Sequence, residues 1–121
     1  MEDFFDLCKK LKIGTVLHKT SRNTEFTLTC FGTNRKNEDV LKYKISETQS
    51  KNITRTELNI LWDTLDKNRI IIFDEIKNQN ITLFRSGDCY RFIFKELCRL
   101  AYPQKKFVEG NIGRLSTFSI T

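Results

Sequence analysis

The chain has one histidine, one proline and five scattered glycines in 121 residues. A single imidazole, His18, leaves few routes to nucleophile–base catalysis or to histidine-ligated zinc. In "LHKTSR" it has no neighbouring cysteine or carboxylate, and we read it as a loop residue without a role. The glycines never gather into a phosphate-cradling loop. No apolar run approaches the ~18 residues of a membrane span, and the opening "MEDFFDLCKK" lacks the basic and apolar regions of a secretory leader. A cytoplasmic protein without a membrane partner is therefore expected. Internal repeats, low-complexity tracts and Pro/Ser-rich linkers are absent, so a single domain spanning residues 1–121 is expected.

The four cysteines, Cys8, Cys30, Cys89 and Cys98, lie 22, 59 and 9 residues apart, with no C-x-x-C pair. Zinc spacing is missing, and no cofactor is expected. Each cysteine falls on a face expected to be apolar, which suits buried free thiols in a reducing compartment.

Large apolar groups are plentiful. Ten Phe, three Tyr and one Trp supply a core without crosslinks, each burial contributing roughly 1.5–3 kcal/mol. Asn, Lys, Ile and Thr are abundant, as AT-rich coding of a low-GC bacterium or its phage would give.

Periodicity outlines an α+β protein, an antiparallel hairpin or sheet packed against about three helices. "EDFFDLCKKLK" carries Phe4, Leu7, Cys8 and Leu11 at helical spacing, and Ile13 and Gly14 end it. "TEFTLTCF" and "VLKYKIS" alternate, with Phe26, Leu28, Cys30, Leu41, Tyr43 and Ile45 on the inner side, and the polar "GTNRKNED" joins them as a hairpin loop. Thr54 and Glu57 form a capping box for a helix over 55–66, with Ile53 stapled onto Leu58 and a stripe of Leu58, Leu61, Trp62 and Leu65. "RIIIF" is a buried strand, "DEIKNQN" a helical turn and "ITLF" a short strand. A long helix begins after Ser86 or Asp88 and stops before Pro103, and "KKFVEGNIGRLSTFSI" folds as a hairpin around Gly110, Asn111 and Gly113. From residue 54 onward this order, helix, strand, short helix, long helix, hairpin, is that of a winged helix-turn-helix. The segment from Asn68 to Arg85 is longer than that motif's tight turn.

Net charge is +6, from 21 basic and 15 acidic residues, and the pI is about 9.3. Such a surplus steers anionic partners toward a protein. It is concentrated: residues 85 to 106 carry six basic and two acidic groups, a local +4. On the long helix Arg91, Lys95 and Arg99 form a line about 6 Å apart per step, close to the spacing of successive phosphates. Phe92 beside them suits a base-stacking or pocket-filling role. We expect Arg85, Arg91, Phe92, Lys95, Arg99, Lys105, Lys106 and Arg114 to bind the partner. His18, Lys19 and Arg22 form a further basic group that would extend the same surface.

Two functions fit. The first is a non-enzymatic module binding DNA or RNA through the basic helix, chiefly by phosphate contact. The second is a protein-binding inhibitor or accessory factor, such as a phage-encoded blocker of a host nuclease, with Phe92 and its arginines as the interface anchor. A metal-dependent enzyme using Asp74 and Glu75 with Lys77, in "FDEIK", is a third and weaker reading, since the upstream Asp of a nuclease pattern is missing. A homodimer through the edge of the hairpin at residues 25–46 is also open.

Overall fold

A computed structural model of the chain describes residues 2–18, 25–85 and 87–121, with only the backbone at residue 18. The fold is α+β. Four strands, β1 (Val16–His18), β2 (Glu25–Thr33), β3 (Asp39–Lys44) and β4 (Ser50–Thr54), form one antiparallel sheet in sequential order. Helix α1 (Phe4–Cys8) precedes it, and α2 (Arg55–Asn68) follows β4 directly. Then come β5 (Ile70–Ile72), α3 (Phe73–Gln79), α4 (Cys89–Ala101) and the hairpin β6 (Phe107–Ile112) and β7 (Leu115–Ile120). The last three strands make a second antiparallel sheet, ordered β5-β7-β6. One buried cluster draws residues from both sheets and all four helices.

Local chemistry explains most boundaries. The Glu57 N–H donates to Thr54 Oγ1 at 3.1 Å, and the Thr54 N–H donates to Glu57 Oε1 at 3.0 Å, so two of the donors that open α2 are satisfied reciprocally. Arg69 closes the helix in the left-handed region at φ 65°. Helix α1 is shorter than its apolar spacing suggests, a five-residue helix with its own Asp3–Asp6 capping box. It is held by Arg55, whose guanidinium bonds Asp3 at 2.7 Å, Asp6 at 3.2 Å and Asp39 at 2.8 Å.

Four expectations are overturned. Cys30 is exposed rather than buried, because a bulge between Leu28 and Cys30 shifts the register of β2 and brings Phe31 inward against Phe5. "ITLF" is a turn and not a strand: Phe84 adopts φ 57°, and its N–H donates to Glu57 Oε2 at 2.7 Å. This conformation places the Phe84 ring against Tyr90, fully buried. Gly110 lies within β6 opposite Thr117, where an added Cβ would press the threonine hydroxyl at 3.2 Å; the two-residue turn is Gly113 and Arg114. The hairpin of residues 25–46 is not the edge of its sheet: β1 pairs with residues 25–27 of β2, and β4 pairs with residues 40–44 of β3.

Candidate functional site

Helix α4 is the central helix of the molecule. Tyr90, Ile93, Phe94, Leu97 and Cys98 are buried as its spacing predicts. The opposite, basic face is covered as well, contrary to expectation. Lys95 is buried, with its side chain 8% exposed, and its ammonium donates to Glu109 Oε1 on β6 at 2.7 Å. Arg91, 15% exposed, donates to Asp74 on α3 at 2.9 Å. Arg99 bonds Glu96 at 2.6 Å and Glu109 at 3.1 Å. Phe92 lies stacked on Phe26 of β2 with ring centroids 6.0 Å apart, under the four-stranded sheet.

Each of the three cations thus has an internal acid. The physical reason is the fold's layering: α4 is packed between two sheets, and burial of an unpaired charge costs several kcal/mol unless an acid compensates it. The electrostatics agree. Burial pushes the Glu109 carboxyl upward, but the bonds and charges of Lys95 and Arg99 outweigh this and leave it below its ordinary range. For Arg91, burial opposes the charged form while Tyr90 and Asp74 favour it more, so the guanidinium is held charged. The stripe fastens α3 and β6 to α4 and offers no row of free cations to phosphates.

The remaining expected residues are exposed or half-buried but scattered. Arg85 lines a shallow groove with Lys36, Glu38 and Thr54 at the start of α2. Lys105 and Lys106 line another with Arg69, beyond the far end of that 14-residue helix. At about 1.5 Å per residue, α2 keeps the two groups roughly 20 Å apart. Arg114 is at the tip of the β6–β7 hairpin, and Lys106 precedes its base. Lys19 and Arg22 lie outside the described residues, as does the His18 side chain, although the His18 backbone ends β1 rather than a loop. Asp74, with its carboxylate committed to Arg91, sits in α3, and among the described residues no three acidic, histidine or cysteine side chains converge as metal ligands.

Periodicity finds the β6–β7 hairpin but not the open edge of β6. That strand is the outer one of its sheet, and among the described residues no strand pairs with its other side. The two-residue turn makes Ile112 and Leu115 a hydrogen-bonded pair, and alternation then turns the N–H and C=O groups of Phe107, Glu109 and Asn111 toward the open side. Val108 at 38%, Ile112 at 53% and Leu115 at 36% are exposed along the hairpin. The signal was present in "FVEGNI", where apolar residues fall on both faces of one strand. No helix of the described residues is long and apolar enough to cross a membrane. Comparison with known protein families, curated proteins and solved structures finds no match.

Proposed function

We propose that this chain is a non-enzymatic protein-binding module, an inhibitor or accessory factor in kind, that takes up an extended acidic segment of its partner along β6. One observation carries the reading: a six-residue outer strand, with no strand on its other side among the described residues, and two exposed aliphatic side chains, Val108 and Ile112. Exposed edges of this kind add strands from other chains, main-chain hydrogen bonds supplying affinity and alternate side chains specificity.

Charge selects the occupant. Lys105 and Lys106 stand before the strand, Arg114 stands after it, and the Glu109 carboxylate is turned to Lys95 and Arg99. A second copy is disfavoured, since antiparallel pairing sets Arg114 of one chain beside Lys105 and Lys106 of the other. An acidic strand meets no such repulsion. The phosphate reading of α4 loses its support here, because the groups it needs already have partners.

The test is a two-dimensional NMR titration with a capped octapeptide alternating Glu and Val, and with a Lys/Val peptide as control. Shifts from the acidic peptide alone, centred on the amides of residues 107–112 and at least about tenfold weaker binding in Asn111→Pro, are the expected result. Proline at this edge position removes only an outward N–H. No shifts up to about 1 mM peptide, or undiminished binding in the folded variant, would overturn the reading.

A further inference from the structure

A second concavity lies where the end of α2 meets the segment after α4. Its walls are Arg69, Gln104, Lys105, Lys106, Ile120 and Thr121, and no aspartate or glutamate side chain lines it. We propose that this groove binds a phosphate group, with Arg69, Lys105 and Lys106 as its cationic ligands.

The contrast with four cations held in ion pairs motivates the assignment. Arg55, Arg91, Lys95 and Arg99 each have a carboxylate within ion-pair distance. Among the described residues Arg69, Lys105 and Lys106 have none, although the fold gathers them from two stretches of chain into one hollow. The three cationic groups outnumber the single α-carboxylate of Thr121 at the groove wall, and an anion of two or three negative charges relieves the repulsion that remains. A guanidinium, two ammonium groups and the Gln104 amide together offer the donor set a tetrahedral oxyanion takes.

The groove's frame is fixed. The Arg69 N–H donates to the Leu65 carbonyl at 2.8 Å, and the Arg69 carbonyl accepts the Ile120 N–H at 3.0 Å, so its backbone is pinned on both sides. The Lys106 carbonyl likewise accepts the Thr121 N–H at 3.0 Å. The Lys105 ammonium lies 5.3 Å from the centroid of the Tyr102 ring, which holds it beside the hollow. Arg69 also occupies a left-handed position, φ 65°, where glycine is the unstrained residue at a helix end. The Arg69 side chain is exposed there, without an ion pair, at the mouth of the groove.

The groove shares Lys105 and Lys106 with the flank of the β6 edge, but Arg69 belongs to the groove alone and the outward backbone of β6 to the edge alone: Asn111→Pro leaves the groove intact, and Arg69→Gly leaves the edge intact. Phosphate can come from a small molecule or from a nucleic-acid backbone, and the probes separate the two. Calorimetry with pyrophosphate and with a short single-stranded DNA, at low and at raised salt, is run on the wild type, Arg69→Gly and Lys106→Gln. Arg69→Gly removes the left-handed strain and is expected to fold with an equal or higher melting temperature. Roughly tenfold weaker binding in both variants supports the site, pyrophosphate binding marking a small ligand and DNA binding alone, weakening steeply with salt, marking a backbone. Neither probe binding at low salt, or binding unchanged in both folded variants, overturns it.

Discussion

Phe92 of α4 and Phe26 of β2 lie with ring planes 24° apart and centroids 6.0 Å apart, joining the basic helix to the four-stranded sheet. Phe26 is itself buried and meets Tyr43 edge-on at 6.2 Å. An aromatic side chain that reads as an interface anchor is therefore part of the core's outer layer. Phe92→Ala is expected to destabilise the fold by about 2–4 kcal/mol in urea unfolding, below the largest Phe→Ala losses because Phe92 is only partly buried. A variant as stable as the wild type would remove Phe92 from this role.

Acid should weaken the α1 attachment. Burial pushes the Asp3 carboxyl up, but the Asp6 N–H, Arg55 and Asn59 outweigh it and hold the group at about 2 instead of 3.8. A depressed carboxylate stabilises the fold above its unfolded pKa and loses that contribution as pH falls through the folded value. The window here runs from about pH 4 down to about pH 2. Glu109 shifts in the same direction. Melting temperatures measured across this window should fall, and Asp3→Asn should start lower and fall less steeply.

Thiol reactivity should divide the cysteines. Cys30 is exposed and Cys89 half-buried, whereas Cys8 and Cys98 are buried. Burial and the nearby Asp3 push the Cys8 thiol up to about 12, and burial raises Cys98 in the same sense. A thiol-reactive disulfide reagent should modify Cys30 first and Cys89 more slowly, leaving Cys8 and Cys98 until the chain unfolds, as mass spectrometry of the digest would read out.

Elements specified by neighbours in sequence were legible. The capping box of α2 joins residues three apart, the apolar stripe Leu58, Leu61, Trp62 and Leu65 is buried as its spacing requires, and the order from α2 to the β6–β7 hairpin follows from pattern alone. Strand β4, "SKNIT", was not, because its side chains hardly alternate and its place is fixed by backbone pairing to β3. The bulge that exposes Cys30 leaves no mark in composition.

The basic helix misled for a related reason. A helical projection assigns charge to the wet side, which holds for a helix with one apolar neighbour layer. Helix α4 has neighbours on more than one side, and the acids on other elements that pair with Arg91 and Lys95, Asp74 and Glu109, lie 17 and 14 residues from their partners. Nothing local announces them. The breadth of the apolar arc, with Phe92 outside it, was the one available sign of a helix packed on more than one side.

The Lys95–Glu109 pair seals the basic face of α4 against β6, and a double-mutant cycle on it tests whether that face is internal. Glu109→Gln strands a buried ammonium and should cost about 2 kcal/mol or more, less than the 3–5 of a fully buried pair because Glu109 is one-third exposed. Lys95→Met should cost less, and the two together should show a coupling of about 1 kcal/mol or more in urea unfolding. Additive effects near zero would contradict an internal basic face and return α4 to the surface.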